Sequence, residues 1–302
     1  MKKAIDEIEG ACSRRYFLQT SAFVFCSSLI PQFETQRTPK IDVTLSEFNT
    51  KLSEIHKDPN LADPFRQEIE LVEALEVGLE RAPIRARKSS TMISSRASDL
   101  IVWCEVTSEA FYRAHYESPT WPHGKSGITI GIGYDIGYVT PPDLEEDWKS
   151  YLETNHIKLL TPTCGHTGGG VAAQLAQLRT IRVDWAVAKS QFLNQSLPRY
   201  VGATEAALPN TSMLGQDSLG ALVSLVYNRG ASFSLSGPRY EEMRNIKGYM
   251  GSRDFGKIPA EIRCMKRLWK DDPDLRGLLL RRDAEASLFK FGLHNAKAPV
   301  AE

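Results

Sequence analysis

Glu109, Thr129 and Asp135 are the side chains whose types and spacing best suit acid–base chemistry. Val106 and Tyr112 lie three residues to either side of Glu109, so a helix through this stretch sets the carboxyl on an apolar face. Desolvation on such a face raises a carboxyl pKa, as a general acid requires. Glu105 is the rival acid, one turn earlier and one turn after Ile101 and Val102. Asp135 offers a second carboxylate to activate water, and the Thr129 hydroxyl can orient that water. Two carboxylates so used cleave glycosidic bonds, and inverting enzymes keep them about 6.5–9.5 Å apart.

These residues must be positioned by the segment GITIGIGYDIG, residues 127–137. At the period of a strand, Ile130, Ile132, Tyr134 and Ile136 share one face. Thr129, Gly131, Gly133 and Asp135 share the other. Glycine weakens a strand by roughly 0.5–1 kcal/mol relative to alanine, so the glycines imply a bend or the close approach of a ligand to bare backbone. Thr129 and Asp135 would stand roughly 20 Å apart if extended. They meet only if the chain bends at Gly131 and Gly133. Trp121, in SPTWPHGKSG, offers an aromatic face on which a sugar could stack.

Helical patterns dominate from Asp99 onward. SDLIVWCEVTSEAFYRAHY reads as one helix carrying Glu109. VDWAVAKSQFL aligns Trp185, Ala188 and Phe192, while DSLGALVSLVYNRG stacks Leu219, Leu222, Val223 and Val226 before the helix stop at Gly230. PAEIRCMKRLW aligns Ile262, Met265 and Trp269, and LRGLLLRRDAEASLF closes the set with Arg281, Arg282 and Glu285 at ion-pair spacing. The fold class expected is α+β, mostly helical, with a small sheet carrying the glycine-rich motif. Residues 1–38 read as a leader and linker and 39–95 as a helical N-terminal region, in which FRQEIELVEALEVGLERA aligns Ile69, Val72, Leu75 and Leu79. Residues 96–302 read as the catalytic domain.

Composition narrows the function classes. Lys plus Arg and Asp plus Glu number 37 each, so no net field selects nucleic acid. Five cysteines without CxxC spacing and six histidines without HxxxH argue against a metal site, with at most one bridge among Cys104, Cys164 and Cys264. Gly131, Gly133 and Gly137 approach a dinucleotide fingerprint, yet Pro141 and Pro142 follow with no βαβ alternation. CGHTGGG (164–170) lacks the Lys-Ser/Thr of a phosphate loop and reads as a lead into a helix near Val171. No cofactor is expected.

Ser126, Gly127, Thr129, Ile130, Gly131, Gly133, Asp135 and Gly137 match the segment S-G-x-T-I-G-x-G-x-D-x-G. With Tyr116 seven residues after Glu109, this resembles the phage-type lysozyme-like glycoside hydrolases, and more closely their pesticin-like branch. SLVYNRG and RRDAEASLF are similar to that family's internal and closing helices. Tyr134 and Ala110 depart from it, standing where many members have His and Gly. The resemblance implies a lysozyme-like fold over roughly residues 96–292. It implies a muramidase acting on peptidoglycan glycan strands, with Glu109 as acid, Asp135 as the water-activating carboxylate and Thr129 as its positioning hydroxyl. Substrate contacts are expected from Gly131, Gly133, Tyr134 and Trp121. Non-hydrolytic cleavage to an anhydro-sugar, and wall binding without catalysis, are the alternatives. SRRYFLQTSAFVFCSSLI (13–30) is similar to a twin-arginine export signal. It implies use of the twin-arginine machinery, a periplasmic or secreted product and no stable membrane span in the mature chain.

Overall fold

The computed structural model describes residues 43–58, 86–124, 126–272 and 275–295. The arginine-pair segment and the apolar face from Ile69 to Leu79 lie outside the described residues. In chain order the helices are α1 (Val43–Lys57), α2 (Ser95–Val106), α3 (Glu109–His115), α4 (Pro141–Trp148), α5 (Thr154–Leu160), α6 (Trp185–Gln191), α7 (Leu197–Ala207), α8 (Gln216–Arg229), α9 (Glu241–Ser252), α10 (Ile258–Cys264) and α11 (Arg276–Asn295). Between α3 and α4 lies a two-stranded antiparallel sheet, β1 (Thr129–Ile130) and β2 (Tyr134–Asp135). The described residues are thus mostly helical, with one small sheet among them. No helix among the described residues is long and apolar enough to cross a membrane.

Local chemistry accounts for most helix ends. The Ser94 hydroxyl accepts from the Ala97 amide to open α2, and Thr140 with Asp143 forms a capping box ahead of the prolines that begin α4. α8 stops at Gly230, φ 70°. A single π-turn, Phe192–Ser196, joins α6 to α7. The run after CGHTGGG forms 3₁₀ turns over Gly169–Leu178 rather than the α-helix expected there.

Two apolar clusters share α2 and α8. Ala97, Leu100 and Cys104 of α2 pack with Leu222, Leu225, Ile246 and Phe289 in one. Ile101, Val102 and Val106 pack with Ile130, Ile132, Trp148 and Val223 in the other. Glu105, in the last turn of α2, stands between Cys104 of the first cluster and Val106 of the second. α1 buries Phe48 and Ile55 in the cluster that holds Leu278 and Phe289 of α11. α1 packs chiefly on α11. Cys104 and Cys164 are free thiols, so no bridge joins the last three cysteines to one another.

The glycine-rich segment is a hairpin, not one long strand. Thr129 pairs with Asp135 and Ile130 with Tyr134, and the chain reverses through Gly131 (φ 59°), Ile132 and Gly133 (φ 64°). Ile130, Ile132, Tyr134 and Ile136 are all buried, as their shared face requires. The other glycines serve backbone packing. A Cβ on Gly127 would stand 2.4 Å from the Gly137 Cα and 2.7 Å from the His166 carbonyl oxygen. The loop at 164–170 therefore lies directly on the hairpin base.

Gly131 is a structural glycine as well, because its missing Cβ faces Trp148 at 2.8 Å and Ala188 rather than open space. We expect Gly131→Val to combine a disfavoured left-handed backbone with overpacking and to lose at least ~2 kcal/mol of stability. Thermal unfolding of the variant, with activity measured per folded molecule, checks this. Undiminished stability would show that the position tolerates a side chain.

Candidate active site

The helix expected to run from Asp99 past Glu109 is broken after Val106. Thr107 takes φ 60°, ψ −56°, and Ser108 starts α3 by accepting from the Phe111 amide at 3.1 Å. The Ser108 amide donates to the Val106 carbonyl at 2.6 Å, closing a γ-turn whose positive φ strains a β-branched residue by about 1–3 kcal/mol. The break sorts the two candidate acids. Glu105 falls in the last turn of α2 with its side chain 11 % exposed. Glu109 becomes the first residue of α3, 49 % exposed, and pairs at 2.9 Å with Arg113, which also meets Glu117 and Asp184. Glu109 therefore lacks the apolar surroundings expected of it and does not line the cleft described next.

A small cleft, open to solvent, is lined by Glu105, Val106, Tyr116, Thr120, Pro122, Thr129, Gly131 and Gly133. Burial raises the Glu105 pKa, and the Arg281 guanidinium beside it pulls in the opposite direction through charge and a hydrogen bond. Arg281, on α11 and 1 % exposed, donates from Nη1 to Glu105 Oε1 at 2.9 Å and from Nη2 to the Ser224 carbonyl at 3.1 Å. Its Nε faces Glu285 Oε1 at 3.3 Å, which also accepts from Arg282 at 2.8 Å and from the Ser224 hydroxyl at 2.7 Å. Two buried guanidiniums thus oppose two buried carboxylates. Burial pushes the adjacent Cys104 thiol up to about 12, which leaves it a poor nucleophile.

Gly133 keeps the cleft floor open. A Cβ there would stand 2.9 Å from Tyr227 Oη and 3.4 Å from Glu105 Oε2. Tyr227, on α8, donates to the Ile132 carbonyl at 2.9 Å and so fixes the hairpin tip beside the acid. Burial raises its pKa well above that of an ordinary phenol, so it serves as a donor.

The hairpin register brings Thr129 opposite Asp135, where facing Cβ atoms lie about 4.5–5.5 Å apart. The bend that the sequence requires is present. Thr129 lines the cleft, while Asp135 caps the 3₁₀ turn Ile136–Tyr138. Its carboxylate accepts from the Gly137 amide at 2.8 Å and from the Gly127 amide at 3.1 Å, and it is not among the lining residues. Tyr134 is a core residue rather than a sugar contact. Its ring meets Trp148 edge-on, and its hydroxyl donates to Asp147 at 3.0 Å. Trp121 is half-buried, donates to the Ser126 carbonyl at 3.1 Å and lies beside the His123 ring.

Of the site's members, Glu105 appears in the sequence as the rival acid, and Arg281 as part of a local ion pair with Glu285 in the closing-helix segment RRDAEASLF. Tyr227 appears only within the internal-helix segment SLVYNRG, with no role of its own. The Thr-Ser-Glu string at 107–109 is a helix-start signal, and it is the local cue that separates the two glutamates. No protein-family model matches this chain, and no significant match to it is found among curated proteins.

Arg281→Met leaves Glu105 and Glu285 without their shared cation. We expect a loss of about 3–5 kcal/mol at neutral pH. A buried acid whose pKa is raised on folding holds its proton longer in the folded chain, so stability falls as pH rises from the ordinary carboxylate range through the raised value. The deficit of the variant should accordingly shrink on acidification. Denaturant titrations at acid and neutral pH measure it, and a deficit independent of pH would exclude the carboxylates as its source.

Proposed function

We propose that this protein is a peptidoglycan-cleaving muramidase of lysozyme-like fold, with Glu105 rather than Glu109 as the general acid. One observation carries the reading. Glu105 is a mostly buried carboxyl, raised in pKa and fixed by Arg281, that lines an open cleft together with Thr129 and a glycine-bent hairpin tip. The match of residues 126–137 to the lysozyme-like motif names the substrate class, and Tyr116 on the cleft wall adds an aromatic ring suited to a sugar face.

In this mechanism Glu105 protonates the oxygen of the scissile glycosidic bond, which breaks as the sugar ring develops positive charge. Asp135, held in direction by the Gly127 and Gly137 amides, takes a proton from the attacking water, and Thr129 orients that water from across the hairpin. Burial keeps Glu105 protonated at pH values where an exposed carboxyl has ionised, so the alkaline limb of turnover should lie above the ordinary carboxylate range. The substrate lies outside the inner membrane. This accords with export through the twin-arginine route implied by Ser13–Leu18 and with a periplasmic or secreted location.

A second reading follows from the position of Asp135, whose carboxylate is engaged by backbone and is not part of the cleft lining. Glu105 alone could then serve as acid and base, the sugar's own hydroxyl attacking to leave an anhydro product. Mass spectrometry of the released glycan separates the two.

Glu105→Gln keeps the side chain's shape but has no proton to give, and soluble glycan release from purified sacculi should fall by roughly 10²–10⁴-fold. Glu109→Gln breaks only an exposed ion pair and should stay within about threefold of wild type. Asp135→Asn should cost as much as Glu105→Gln if water attacks, and far less if an anhydro-sugar forms. Circular dichroism controls for folding. Sacculus binding without glycan release by the wild-type protein would support a non-catalytic wall-binding role instead.

A further inference from the structure

Thr107 is one of four non-glycine residues with positive φ among the described residues, with His123, Asn210 and Arg253. It is 2 % exposed and β-branched, and it sits two residues after Glu105 at the centre of the γ-turn. Such backbone outliers persist only where the surroundings over-determine them, and they concentrate at functional sites. Two of the holds are local: the last bond of α2, from the Thr107 amide to the Trp103 carbonyl at 2.9 Å, and the Ser108 cap of α3.

The third comes from α1. His56 Nδ1 lies 2.8 Å from the Thr107 carbonyl oxygen, and since a carbonyl only accepts, Nδ1 carries the proton. The same imidazole meets the Trp103 indole edge-on at 4.8 Å. Trp103 in turn stacks on Trp185 at 6.0 Å, and Trp185 meets Tyr112 of α3 at 5.3 Å. A single residue of α1 thus touches both the turn carbonyl and the end of an aromatic row linking α2 to α3. α1 is anchored on α11 through Phe48 and Ile55, and α11 supplies Arg281. The segment carrying Glu105 is held at its carboxyl by α11 and at its backbone by α1.

We infer that His56 is a positioning residue for Glu105. By holding the Thr107 carbonyl it maintains the turn that ends α2 at Val106, keeping Glu105 in the cleft and Glu109 out of it. A continuous helix would instead place Glu105 and Glu109 four residues apart on one face. The inference rests on Glu105 being the acid, and it makes α1 a working part of the site.

The test uses the full chain and two variants. His56→Leu removes the donor, and His56→Asn places an amide N–H where Nδ1 stands. Because His56 is exposed on α1, both should fold. In His56→Leu, hydrogen exchange of the Ser108 amide should quicken at least about tenfold. The kcat for glycan release should fall about tenfold or more, with KM and melting temperature near wild type, since small misplacements of a reacting group carry large rate penalties. His56→Asn should restore both. Unchanged Ser108 exchange in His56→Leu would overturn the inference. A kcat loss that merely follows the unfolded fraction, or that Asn does not rescue, would overturn it too. Full activity in Glu105→Gln would instead refute the reading of the site, and Ser108 exchange alone would then decide whether His56 holds the turn.

Discussion

The ion pair between Arg281 and Glu105 is the interaction on which the rest of the site depends. A carboxyl that is 11 % exposed and a guanidinium that is 1 % exposed cannot each be left alone, because an unpaired buried charge is far costlier than a paired one. Arg281 also takes the Ser224 carbonyl and Glu285, so the last turn of α2, the middle of α8 and the first half of α11 are tied at one point. Apolar packing brings these helices together but does not by itself choose their register. A fork of N–H donors with oxygen partners on three helices does, because its geometry is specific.

The pair also sets the chemistry of the carboxyl. Burial favours the protonated form and Arg281 the ionised form, and the balance lies on the side of burial. An acid fixed in position and poised between opposing effects is suited to giving up a proton and taking it back. In the proposed mechanism the same low-polarity surroundings would strengthen interactions with charge developing on a bound glycan. Tyr227 and the space left by Gly133 complete the wall beside it without adding another ionised group.

The hairpin meets a different constraint, the reversal of a chain in three residues while one face stays buried. Positive φ at Gly131 and Gly133 permits that reversal. The four apolar residues of the buried face hold the register that sets Thr129 opposite Asp135. Asp135 then ties the hairpin base together by accepting from Gly127 and Gly137, where backbone packs directly on backbone.

By itself the sequence determined those features whose causes are local. The 3.6-residue apolar repeats of α6 and α8, the stop at Gly230 and the buried isoleucine face of residues 130–136 were all legible in it. So were the need for a bend between Thr129 and Asp135 and the pairing of Arg281 and Arg282 with Glu285. What it could not decide was which glutamate enters the cleft, since Glu105 and Glu109 both sit beside apolar residues in the linear pattern. Periodicity averages over several turns and does not register a reversal centred on one residue. The Thr107 carbonyl accepts from His56, 51 positions away, and the burial of Glu105 is made tolerable by Arg281, 176 positions away. Tyr134 shows the same limit, for only the packed structure reveals that its ring is enclosed by Trp148 and its hydroxyl taken by Asp147. Tertiary structure decided these points because burial and charge pairing depend on distance in space, which one-dimensional spacing does not contain.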